Sequence, residues 1–268
     1  MPDVHPSASL DPEVQLADDV KIGANCILDG PITLGAGTRL LANVMLQGPL
    51  TLGERNLVYP FACLGFAPQH KAFDPDTLGA GLVIGDDNTF REHATVHRAY
   101  TDQPTRIGDH NFVMNAGHIG HDASIANHCL IGAHCGIAGH VEVQDHAIVG
   151  PVSGIQQFRR VGRMAFVGGG IGITLDLPPF CIASTRNSIS SLNVVALRRH
   201  GLREHIEPLR HAFKLLYRRG HTNKRAVERI EEELSHDPPC MELAAFVKAA
   251  THGVIPYHGR RSTEHRGD

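Results

Sequence analysis

Tryptophan is absent from this 268-residue chain, and Tyr and Phe number only 4 and 10. The scarcity argues against a core built on large rings and suits an interior too narrow for them. No apolar run reaches the roughly 20 residues that a membrane-spanning helix needs, and no charged-then-apolar leader opens the chain. The expectation is a cytoplasmic protein without a transmembrane segment. The 6 Cys lack the paired spacing of a metal site. Cys129 and Cys135 fall at the same place in adjacent rows of six, on different sides of a coil, and read as small buried residues instead of a disulfide. With a net charge of −3, the chain shows no basic excess that would call for a nucleic-acid partner.

What the sequence has in abundance is a period of six. Val4, Leu10, Leu16, Ile22, Leu28, Leu34, Leu40, Leu46, Leu52, Val58 and Leu64 stand in one unbroken register, which resumes at Ile84, Phe90 and Val96 and again from Ile107 to Ile173. Neither the helical period of 3.6 nor the strand period of 2 produces this pattern. Fixed-period self-similarity points to a solenoid. Three six-residue sides make an 18-residue triangular coil, and stacked coils pair as parallel strands about 4.8 Å apart around a column of aliphatic side chains. Glycines just after the leading aliphatic, such as Gly23, Gly120 and Gly150, read as corner residues chosen for conformational freedom. Residues 1–184 are thus predicted to form a parallel β-helix. Two interruptions, of 14 residues between Leu64 and Ile84 (loop 66–83) and of 5 between Val96 and Ile107, should loop out of the wall beside a binding face; for the shorter one a tolerated surface insertion is an equal reading.

After Asp176-Leu177-Pro178-Pro179-Phe180 the period stops. Ile206, Leu209, Phe213 and Leu216 share one helix face, with Gly220 beyond them as a stop signal. Thr222 is placed to cap a helix carrying Val227, Ile230 and Leu234, and Pro238-Pro239 separates it from a last helix around Leu243, Phe246 and Ala249. Residues 185–268 form the expected helical domain. It holds 15 Lys+Arg against 10 Asp+Glu, whereas the solenoid holds 10 against 18. This asymmetry suits an acidic partner, or equally an ordinary solvated helix surface.

Most of the 19 His must be unremarkable turn residues, and His128, His134 and His146 are assigned to that class. A coil of 18 places His121, Gly139 and Gln157 directly above one another, with Arg98 and His97 one coil below after correction for the five-residue loop. A His, a backbone N–H bared by glycine and an amide in one line suit a general base, an oxyanion donor and a positioning group, or simply a polar ladder on a turn edge.

Around these residues the stretches NAGHIGHD (115–122), TVHRA (95–99), AGHVEV (138–143), IQQF (155–158), DLPPF (176–180) and LRRHG (197–201) closely resemble the acyl-ACP:UDP-N-acetylglucosamine O-acyltransferases that start lipid A synthesis. The likeness runs nearly end to end. It implies a left-handed parallel β-helix, a homotrimer with active sites between subunits, and two substrates, UDP-N-acetylglucosamine and a 3-hydroxyacyl chain on acyl carrier protein. His121 would be the general base, oriented by Asp122, with His118 helping to hold the substrates and the Gly139 N–H stabilising the oxyanion. The family pattern for the nucleotide sugar maps onto Lys71, His97, His140, Gln157, Asn193 and Arg199, and the position that sets acyl length onto Gly169. A thioester is already activated, so no metal, cofactor or covalent enzyme intermediate is needed.

Two departures stand out: His70 occupies a place where many relatives carry Asp, and Gln156 one where they carry His. They leave open an amino-sugar acceptor acylated on nitrogen. A second class, the trimeric β-helix zinc enzyme of carbonic-anhydrase type, would need three His such as His97, His118 and His140 converging on one ion.

Overall fold

The computed structural model describes residues 1–74 and 77–257; residues 75 and 76 of the expected loop and 258–268 of the expected helical domain lie outside the described residues. The described residues form 28 short strands and four helices. The strands build three sheets, of eleven, nine and eight members, that make the walls of a parallel β-solenoid. Each strand pairs with the strand one coil away, as Leu46 does with Leu64. Across the long interruption Leu64 pairs with Val96, and across the short one Val96 pairs with Ile119. These offsets of 32 and 23 are 18 plus the inserted lengths, so both insertions leave the register intact.

The leading aliphatics from Ile22 to Ile173 are buried, each contributing roughly 1.5–3 kcal/mol by leaving water. Phe90 corrects the expectation that no ring fits, because it stands in the same column and is fully buried. A second internal column is polar. The Asn56 side chain accepts from the Asn88 backbone N–H (2.9 Å), Asn88 from that of Asn111 (2.8 Å), and Asn111 from that of Cys129 (2.7 Å). Each buried amide is thereby satisfied where an unpaired one would be destabilising.

The corner glycines owe their place to space more than to φ. A Cβ on Gly23 would lie 1.5 Å from the Leu41 carbonyl oxygen, and one on Gly150 2.7 Å from the Gly169 nitrogen. The left-handed position of each corner falls two residues further on. His93, His110, His128, His134, His140 and His146 all sit there, with φ between 56° and 60°. His is among the few side chains enriched in that region, which accounts for much of the histidine content. All six cysteines are free thiols.

Past the periodic region, Cys181–Thr185 and Ser188–Leu192 form an antiparallel hairpin that extends the eleven-stranded sheet. The period of six does not announce this hairpin, and residue 184 falls inside it. The helices follow: α1 (Val194–Arg199), α2 (Ile206–Tyr217), α3 (Asn223–Glu233) and α4 (Pro238–Lys248). Ile206, Leu209, Phe213 and Leu216 are buried as their spacing requires, and Thr222 caps α3 by accepting from the Arg225 N–H. Pro238-Pro239 stands between α3 and the Leu243 face as expected, and the two prolines form the first turn of α4 behind the Asp237 cap. There proline's missing N–H goes unmissed.

Candidate active site

A cavity of about 370 Å³ opens on the solenoid wall, lined by Gln69 and His70 from the long loop, by His97, and by the stacked corners holding His118, Gly120, His121, Gly136, Ala138, Gly139 and Gln157. The three residues spaced 18 apart, His121, Gly139 and Gln157, therefore share one cavity with His97 and His118. Lys71, Asp122, His140, Gly169, Asn193 and Arg199 are not among its lining residues.

His121 is 7% exposed. Its Nδ1 lies 2.6 Å from Asp122 Oδ2, and because a carboxylate accepts, Nδ1 donates and Nε2 keeps its lone pair. Gly139 lies beside that nitrogen: a Cβ there would stand 2.8 Å from both Nε2 and Cε1. The Gly139 N–H has no acceptor among the described residues. Asp122 is itself held by the backbone N–H groups of Tyr100 and Thr101, each at 2.9 Å, and by the Thr101 hydroxyl. Burial pushes the Asp122 carboxyl up, but the hydrogen bonds from Thr101, His121 and Tyr100 outweigh it and hold the group below its usual range.

The neighbouring imidazoles are driven towards neutrality. Burial, then repulsion from His97 and His121, lowers His118 to about 4; its Nδ1 lies 2.9 Å from Thr95 Oγ1. His97 is lowered by burial, opposed by its bond to Ala67 and reinforced by His121 and Arg98. Its Nδ1 donates to the Ala67 carbonyl at 2.6 Å, which leaves Nε2 as an acceptor. His140 is also lowered by burial, against the pull of Asp122; it stacks on Phe158 at 4.5 Å and meets His121 edge-on at 5.2 Å.

The remaining predicted residues are placed differently. Asn193 caps α1, accepting from the Ala196 N–H at 3.1 Å and donating to the Met164 carbonyl at 2.8 Å. Lys71 is exposed in the long loop. Arg199 ends α1, where a cation suits the helix C-terminus. Gly169 lies beside Pro151, whose carbonyl oxygen a Cβ would approach to 3.3 Å. The sequence motifs assign no role to Thr95, Tyr100 or Thr101; Thr95 pairs with His118 across the wall, and its offset of 23 is the available signal. The group of His and carboxylate atoms close enough to hold a metal is His121, Asp122 and His140, so among the described residues the trio His97, His118 and His140 does not converge.

The chain is similar to known proteins along almost its whole length. Residues 176–255 match a family model described as UDP N-acetylglucosamine O-acyltransferase, domain 2. An acyl-[acyl-carrier-protein]–UDP-N-acetylglucosamine O-acyltransferase of Halorhodospira halophila is 39% identical over 256 residues, 94% of this chain and 98% of that protein. One from Ectopseudomonas mendocina is 41% identical over 259 residues, covering 95% and 99%. The UDP-N-acetylglucosamine acyltransferase structure from Campylobacter jejuni superposes with a TM-score of 0.88 at 31% identity over 96% of this chain and 100% of that one. The Francisella novicida enzyme gives 0.91 at 28% identity over 94% of each. With such relatives aligned over almost its whole length, the chain belongs to the family of acyl-[acyl-carrier-protein]–UDP-N-acetylglucosamine O-acyltransferases.

Proposed function

We propose that the chain moves a 3-hydroxyacyl group from acyl carrier protein to the 3-hydroxyl of UDP-N-acetylglucosamine, the first step of lipid A synthesis. The observation that carries this reading is the pairing of His121 and Gly139. One imidazole nitrogen is committed to Asp122, and the other is bare beside a free N–H in a cavity able to hold the reacting groups. His121 Nε2 takes the proton of the sugar hydroxyl as its oxygen attacks the thioester carbonyl. The Gly139 N–H then donates to the oxyanion, and collapse expels the carrier-protein thiolate, which takes a proton back from His121. Asp122 fixes the tautomer and steadies the imidazolium. His118, neutral at physiological pH, adds no competing charge. His97, His140 and Gln157 hold the sugar nucleotide from the same edge, and Lys71 approaches it from the loop.

Asn193 and Arg199 lie outside this cavity. We place their nucleotide contacts across a subunit boundary, in a homotrimer whose neighbouring solenoid supplies the second wall of each cleft. The helical part, 185–268, meets the carrier protein with its basic excess, and Gly169 marks the end of the acyl channel. No helix of the described residues is long and apolar enough to cross a membrane, and six free thiols suit a reducing cytoplasm. The test incubates the protein with UDP-N-acetylglucosamine and a ladder of 3-hydroxyacyl carrier proteins and weighs the products. His121→Ala should abolish transfer while the trimer persists on gel filtration; full activity would remove His121 as the base. Transfer only to a 3-amino analogue would move the reading to the N-acyltransferase.

A further inference from the structure

The five-residue interruption after Val96 reaches beyond Asp122. Residues 100–103 are exposed, yet the segment is anchored to its surroundings. Its Tyr100 ring lies 4.4 Å from the His70 ring, 6.0 Å from Phe73 and 6.1 Å from His121, so one side chain touches the long loop and the catalytic corner together. Just before it, buried Arg98 donates to the Gly65 and Thr77 carbonyls at 3.1 and 3.0 Å, and Ala99 and Thr105 donate their N–H groups to the Gly81 carbonyl. On its other side, Tyr100 and Thr101 grip Asp122. The two interruptions are therefore packed on one another, and the shorter faces both a residue lining the cavity and the carboxylate that orients the proposed base.

We infer that this short loop is a clasp that seats the acceptor-binding loop against His121, with Tyr100 as a positioning residue for His70 and Thr101 as one for Asp122. The inference rests on the cavity being the sugar-nucleotide site. It assigns the two halves of the clasp different kinetic signatures. The Tyr100 ring orders the loop wall that meets the acceptor, while its backbone N–H, which any residue would supply, holds Asp122. Tyr100→Ala should therefore raise KM for UDP-N-acetylglucosamine about tenfold, the scale set by two lost ring contacts, and leave kcat within about threefold. Tyr100→Phe should restore KM, because the Tyr100 hydroxyl has no hydrogen-bond partner among the described residues. Thr101→Val removes a bond to a carboxylate and should lower kcat about tenfold with KM unchanged.

Steady-state kinetics with saturating acyl carrier protein, together with calorimetric titration of UDP-N-acetylglucosamine into the trimer, reads both signatures. A merely structural loop would lower the melting temperature of Tyr100→Ala while leaving KM and the calorimetric affinity as they were; that result overturns the clasp. The titration requires no turnover. An active His121→Ala protein would refute the base assignment, whereas unchanged affinity in Tyr100→Ala would refute the clasp alone.

Discussion

Gly139→Ala is the substitution for which the structure makes the sharpest demand. The Gly139 backbone is not in the left-handed region, so alanine brings no φ strain, and it keeps the N–H proposed to meet the oxyanion. What it adds is one methyl group 2.8 Å from His121 Nε2 and Cε1. Carbon contacts relax at about 3.5–4.0 Å, so the imidazole must retreat by about 0.7–1.2 Å. That retreat pulls against the 2.6 Å bond to Asp122 and into the edges of His140 and His70. A misplacement of about 1 Å in a reacting group can reduce the rate about 100-fold, equivalent to about 2.7 kcal/mol of barrier. The expected outcome is a kcat about 100-fold lower, with KM for the nucleotide sugar within about threefold and the fold intact, since the fold itself does not use the vacant space. The assay is product mass spectrometry at saturating substrates beside a thermal melt. If Gly139→Ala turns over within threefold of the parent protein, the imidazole does not occupy this position during transfer, and the base and oxyanion assignments fall together.

Other outcomes follow from the same coordinates. A large side chain at Gly169, such as Gly169→Met, should shorten the longest acyl chain accepted; its Cβ meets Pro151 at 3.3–3.5 Å, so the bulk must project away from that wall. An unchanged product profile across the carrier-protein ladder would exclude Gly169 from length selection. The depressed pKa of His118, about 4 against 6.5, makes the folded state bind fewer protons than the unfolded chain between those values. Stability should be complete above pH 6.5 and decline as pH falls towards 4, by about 2 kcal/mol after allowance for partial solvent access. His97 and His140 act in the same direction. Urea midpoints at pH 7.5 and 5 check this, and His118→Gln should flatten the difference; an equal slope in both proteins would show that His118 is not held neutral by burial.

The sequence showed most where the structure is periodic. An offset of 18, corrected by the five-residue insertion, aligned His121, Gly139 and Gln157 with Arg98 and its neighbour His97, because pairing across a solenoid wall repeats that offset; all of these but Arg98 line one cavity. It was silent where contacts have no period. The Cys181–Leu192 hairpin, the capping role of Asn193, and the grip of Tyr100 and Thr101 on Asp122 all depend on a single backbone path that no spacing rule encodes. Pro238-Pro239 marks the boundary between α3 and α4, and the structure adds that the two prolines belong to the first turn of α4, where their missing N–H is harmless.

The histidines show how the two kinds of information combine. Six of them occupy left-handed corner positions, where the backbone favours Asn, Asp, Gly or His for its own reasons. His140 alone among those six also reaches Asp122, at 3.7 Å. His97, His118 and His121 lie outside the left-handed positions, so the fold makes no demand for imidazole at them. All three nevertheless line the cavity, and burial disfavours the charged form of both His97 and His118. An imidazole that the backbone does not require, in a place where its charge is unwelcome, fits the substrate role proposed for it. On that argument replacing His128 or His134 with Asn should spare catalysis, whereas the same exchange at His97, His118 or His121 should not.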